Sequence, residues 1–147
     1  MGFDILAIEP AVVTDEEFPA WWDRQSAWSE QRDYNDPAGA TPAIQLFMAD
    51  LAETFPPMNG PLRPSEERLE ADPELDDRLS DYSIGRQFVF ADFGFSVDAD
   101  ENDELAERRF MQLAYRHGLA IVLTTGDRTI LRPDRDPLPD WVLDPHG

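Results

Sequence analysis

The first apolar run of the chain is FDILAI, closed by Glu9 and Pro10. A short apolar run stopped by proline predicts a strand over residues 3–8. Thr14 with Glu17 three positions later forms a capping box. Phe18, Trp21, Trp22, Gln25 and Trp28 follow at helical spacing. Pro19 conflicts with a helix that starts at Thr14, because it lacks an N–H and would crowd Asp15. That helix is therefore expected to be kinked or to start late. Adjacent residues do not share a helix face, so one of Trp21 and Trp22 is expected near the edge of the core. Residues 30–40, EQRDYNDPAGA, are turn chemistry and predict a loop.

The second helix has the clearest pattern. Thr41 is a good N-cap, Pro42 suits the first helical position, and Ile44, Phe47, Met48, Leu51 and Phe55 form one apolar stripe. Pro56 and Pro57 stop it. Residues 56–81 are proline-rich and acidic, which predicts a long surface loop with at most one short helical turn. Residues 82–97 are aromatic and β-branched and predict one or two strands broken near Gly85. One parity there holds Val89, Ala91, Phe93 and Phe95, the buried set. The other holds Phe88, Phe90, Asp92 and Gly94, a wetter face that is apolar at one end.

A third helix is expected from about Asn102 to Arg116, buried through Ala106, Phe110, Leu113 and Ala114. Its acids gather at the start and its bases toward the end, which complements the helix dipole, and Gly118 is a natural C-cap. Residues 119–124 predict a strand, Gly126-Asp127 a turn, and residues 128–132 a returning strand. Strand, helix, helix, strands, helix, hairpin is the order of an α+β two-layer sandwich, with an antiparallel sheet and helices on one face. The other face is expected to be partly open. Residues 1–133 form the single domain on this reading, and residues 134–147 a proline-rich C-terminal tail. The tail carries one apolar knot, Trp141-Val142-Leu143. Trp141 is expected to dock on its own domain or on a second copy of the chain, the latter giving a homodimer.

Charge changes the picture more than composition does. The chain has 31 acids against 12 bases, every base is arginine, and the formal charge is -19 over 147 residues. Such a surface repels nucleic-acid backbones and anionic membranes and attracts a basic protein. The acids are blocked: residues 65–81 hold eight acids and two arginines, and residues 98–107 hold six acids and no base. A solvated loop or an interaction surface is the usual meaning of such a block. Halophilic adaptation, with no specific basic partner, is the rival account. Apolar residues at 41% supply enough core to keep the chain folded despite its charge. There is no cysteine, so neither a disulfide framework nor a thiolate site is available, and no apolar run is long enough to span a bilayer. The N-terminus lacks the pattern of a signal peptide, and a cytoplasmic location is expected.

Candidate chemistry is sparse. His117 has neither a zinc-like set of partners nor a nearby Ser or Cys, and the plainer expectation is a helix-terminal histidine satisfying the last carbonyls. Asp98-Ala99-Asp100-Glu101-Asn102 begins like a calcium loop, but its sixth position is Asp103 and its twelfth Arg109, where Gly and Glu are needed. An acidic helix start is the better reading, and neither metal nor cofactor is expected. Asp92 among phenylalanines could serve as the acid/base of a small α+β enzyme, but a second carboxylate would be required. The period-2 pattern instead makes it an outward strand residue. Arg108-Arg109 is too small a basic patch for nucleic acid within this field.

Two stretches, MGFDILA at residues 1–7 and LAYRHGLAIV at residues 113–122, resemble small acidic bacterial proteins of immunity type. The resemblance covers about a tenth of the chain. It implies a helix that ends at Gly-Leu and runs into the last strands. It also implies a role in neutralising a toxin encoded nearby, often a nuclease, by binding it. No catalytic residue carries over. Under that expectation Asp98, Asp100, Glu101, Asp103 and Glu104 are the first patch for a basic partner, and Glu66, Glu67, Glu70 and Asp72 the second.

Overall fold

The computed structural model describes residues 3–28, 30, 33–95, 99–123 and 129–143, and within these the side chains of Ala99, Asp100, Trp141 and Leu143 lie outside the description. Among the described residues the elements run β1 (Phe3–Ile8), α1 (Phe18–Gln25), α2 (Pro42–Leu51), α3 (Glu66–Ala71), α4 (Pro73–Asp77), β2 (Asp81–Ile84), β3 (Phe88–Phe93), α5 (Ala99–Arg116), β4 (Ala120–Val122), β5 (Ile130–Leu131) and α6 (Asp140–Leu143). The five strands form one sheet in the order β2-β3-β1-β4-β5. Every pairing in it is antiparallel. The fold is α+β.

Side-chain alternation sorts the sheet into two faces. Ile5, Ala7, Tyr82, Ile84, Val89, Ala91, Phe93 and Ile121 point into the larger core, where Ile44, Phe47, Met48 and Leu51 of α2 and Ala106, Phe110, Leu113 and Ala114 of α5 meet them. Phe110 links the layers, edge-on to Phe47 of α2 at 4.9 Å and to Phe93 of β3 at 6.1 Å between ring centroids. The expected buried parity of β3 is the observed one: Val89, Ala91, Phe93 and Phe95 are buried, while Asp92 and Gly94 are exposed. Leu6, Ile8, Phe88, Ala120, Val122 and Ile130 point the other way, and Phe18, Trp21 and Trp22 of α1 cover them. The second face is thus partly open, but helices do not lie on one face alone as expected: the aromatic side of α1 buries against the end where Phe88 lies.

Local chemistry explains the boundaries. Thr14 and Glu17 do form the reciprocal box, at 3.2 and 3.4 Å, but α1 starts late, at Phe18, so that Pro19 falls in the first turn, where no N–H is needed. Both Trp21 and Trp22 are buried, contrary to the expectation for neighbours. Trp28 folds back edge-on over Trp22 at 6.1 Å and covers the ring that helical geometry alone would leave at the edge. Thr41 caps α2 by accepting from the Ile44 N–H, and its hydroxyl also donates to Glu9 Oε1 at 2.6 Å, tying the helix to the end of β1.

Residues 56–81 are more ordered than a surface loop. Ser65 caps α3 and Asp72 caps α4, with Pro73 at the first position of α4, and each helix buries one leucine, Leu69 and Leu75. Two short capped helices fit where the acidic composition suggested loop. Helix α5 starts at Ala99, earlier than expected, and ends at Arg116. Gly118 follows at φ +73, where the Leu119 N–H reaches back to the Ala114 carbonyl at 2.8 Å, an ending open to glycine at little cost. Gly85 closes the β2–β3 hairpin for a different reason: a Cβ there would stand 2.1 Å from the Phe88 ring. The turn expected at Gly126-Asp127 lies outside the described residues.

The chain after β5 returns onto the body. Arg132 donates to Asp15 and to the carbonyls of Pro10 and Val13, and Arg135 donates to Asp15 and to the Ile130 carbonyl. Tyr115 of α5 donates to the Asp136 carbonyl at 2.7 Å, Gln112 donates to the Val142 carbonyl, and Val142 is fully buried in the larger core. The Trp141 side chain, the expected anchor, lies outside the description.

Candidate acidic interface

Strand direction decides where the carboxylates collect. The registers place Asp81 at the start of β2, Asp92 near the end of β3 and Asp4 near the start of β1 side by side across the sheet. Helix α4 leads into β2 at this end, and α5 follows β3 from it. The two acidic blocks, separated in sequence by the whole β2–β3 hairpin, therefore converge on one end of the molecule.

Arg78 joins them. Its guanidinium pairs with Glu74 at 2.7 Å, its Nε donates to Asn102 Oδ1 of α5 at 3.3 Å, and it lies over the Phe55 ring at 5.5 Å. Glu74, Asp77, Arg78, Glu101 and Asn102 line the dip between α4 and α5. One basic group thus fixes the seam while the acids around it remain in excess.

The expected partner-binding residues divide by what they already do. Glu67, Glu70 and Glu101 are exposed and have no ion-pair partner among the described residues. Glu66 pairs with Arg63 at 2.8 Å and Glu104 with Arg108 at 3.1 Å, both at helical spacing. Asp72 is the cap of α4, accepting from the Leu75 N–H. Asp103 is half-buried. Asp98 lies outside the described residues, and so does the side chain of Asp100. Burial and then the charges of Glu104 and Asp103 push the Glu107 carboxyl above its usual range. Burial is the larger cause, and the like charges on the same helix add to it. Arg108, on this same helix, is buried and so does not form a basic surface patch with Arg109.

The second carboxylate that Asp92 lacked in the sequence is Asp4, directly opposite across β1 and β3. Burial, then a hydrogen bond with Asp92, then the Asp92 charge push the Asp4 carboxyl up to about 6. Below that value Asp4 keeps its proton beside Asp92, because burial and a neighbouring carboxylate both disfavour its charged form. Asp92 itself is exposed on the open part of the strand face.

His117 corrects another expectation. Its Nε2 lies 2.6 Å from Asp50 Oδ2 of α2, so the ring ties two helices together and does not cap its own. Beside the 10–16 loop, an open cleft of about 600 Å³ is lined by Arg132 and Arg135. All three nitrogens of Arg132 are already committed to protein acceptors, which leaves it a clamp and not an anion site. Among the described residues no group of His, Asp or Glu is arranged to hold a metal ion, and no helix is long and apolar enough to cross a membrane.

No family model matches this chain, and no curated protein or solved structure matches it either.

Proposed function

We propose that the chain is a non-catalytic binding protein that engages a basic protein through the end of the molecule built from α3, α4 and the start of α5. In biological terms this is the role of an immunity protein or antitoxin, which neutralises a basic toxin stoichiometrically. The observation that carries the reading is the convergence of the two acidic blocks at the Arg78–Asn102 seam. Crowded carboxylates cost local stability, and a cationic partner would offset that cost while the same field speeds encounter.

The experiment is co-expression. A basic product of a neighbouring reading frame that arrests growth alone should lose its toxicity when this chain is supplied, and the two should purify as a complex of fixed stoichiometry. Growth arrest unrelieved by the chain, with no complex formed, would count against the proposal.

A second reading, acid–base chemistry at Asp92, has one observation in its favour: Asp4 supplies the proton-holding neighbour that such chemistry needs. The exposure of Asp92 on an open strand face weighs for binding, since general acids gain their shifted behaviour and their substrate from enclosure.

A further inference from the structure

The second sheet face carries an aromatic pad beyond α1. We propose that this pad, with the carboxylates beside it, is the docking site for an arginine side chain presented by the basic partner. The inference rests on the binding reading above and adds a specific contact to it.

Trp28 is 41% exposed, although its ring packs against Tyr34 at 5.4 Å, Phe90 at 6.0 Å and Trp22 at 6.1 Å. Its backbone sits at φ +53, a left-handed conformation that a bulky L residue rarely adopts. Phe90 beneath it is half-buried. The next residue of β3 on the same face is Asp92, ~7 Å further along the strand. Asp4 and Asp81 flank Asp92 on the neighbouring strands. Ring faces therefore give way to carboxylates along one strip of open sheet.

Guanidinium is the group that matches both halves. Its flat face stacks on an aromatic ring, and its edge donates two parallel hydrogen bonds to a carboxylate. An ammonium group offers the charge without the plane, so the strip should prefer arginine to lysine. Charge complementarity selects the occupant: an exposed aromatic that leads through Phe90 to three aspartates, on a chain of net charge -19, fits a cationic segment and disfavours a second copy of itself.

The test uses the whole chain labelled with ¹⁵N at its tryptophan indoles and titrated with a nona-arginine peptide, with a nona-lysine peptide for comparison. The Trp28 indole signal, assigned with Trp28→Phe, should move more than those of Trp21 and Trp22. The arginine peptide should bind about 3-fold more tightly than the lysine peptide, and Trp28→Ala should weaken it by about 3-fold. Asp92→Asn, which leaves the aromatic packing alone, should weaken it as well. An unmoved Trp28 signal, with equal binding by wild type, Trp28→Ala and Asp92→Asn, would overturn this inference and leave the contact on α3–α5. Failure of wild type to bind nona-arginine even at low salt would overturn the binding reading along with it.

Discussion

Burial of Asp4, and after it the cross-strand contact with Asp92, give the fold a pH dependence. Asp4 holds its proton up to about 6, whereas an unfolded chain releases it in the ordinary carboxylate range. Between those limits the folded state binds more protons than the unfolded one, so this pair lowers stability as pH rises toward 6 and adds no further change above it. Asp4→Asn removes the ionisation and keeps a donor for Asp92. Its melting temperature should exceed that of wild type by about 2 °C near neutral pH, after allowance for solvent screening, and the gain should vanish near pH 4. Thermal melts across that range check it; an equal shift at both pH values would remove the pair as the cause. Asp15 has the opposite sign: Arg135 and Arg132 hold its carboxyl below the usual range, so its clamp is intact above that range and is lost only in acid. The alternation of β3 was enough to place Asp92 on the wetter face. Its partner was not legible, because Asp4 lies 88 positions away and only the strand register brings the two together.

At the scale of elements, the chain announces what local chemistry controls. The bounds of β1, the Thr41–Pro42 start of α2 and the glycine ending of α5 follow from caps, proline and periodicity, and they stand where those rules put them. Helices α3 and α4 were hidden, since each is too short to show a stripe and their acids mimic loop composition. Only the caps Ser65 and Asp72 betray them. The expectation that one of Trp21 and Trp22 sits near the edge fails for a tertiary reason: Trp28, from beyond the helix end, packs over Trp22. The segment after β5 makes a testable element. Val142 is fully buried, and Gln112 and Tyr115 of α5 both hold backbone carbonyls of this segment. Val142→Ala should destabilise the chain by about 1–2 kcal/mol, read as a lower urea midpoint at unchanged slope. Removal of residues 134–147 should cost more than the point substitution. A truncated chain with wild-type stability would mean that this segment does not contribute to the folded body.

For the whole molecule the governing fact is asymmetry. Antiparallel order brings the starts of β1 and β2 and the end of β3 to one end of the sheet, and the helices adjoining them, α4 and α5, carry the acidic blocks. Residues distant in sequence thereby act as one charged surface, which composition can suggest but cannot locate. If this surface meets a basic partner, Glu67, Glu70 and Glu101 contribute to the attraction. They are exposed and make no ion pair among the described residues, so their replacement by Gln removes charge without breaking an ion pair; Glu67 and Glu101 stand in the first turns of α3 and α5, where the lost interaction with the helix dipole costs about 0.3–1 kcal/mol each. The decisive measurement is the association rate of the purified basic partner with wild type and with this triple variant, at low and at high salt. The variant's on-rate should be about 10-fold slower at low salt, with a shallower salt dependence and a melting temperature lowered by no more than a few degrees. An on-rate equal to that of wild type at both salt concentrations would contradict a binding role for this surface and leave the acids as a solvated face.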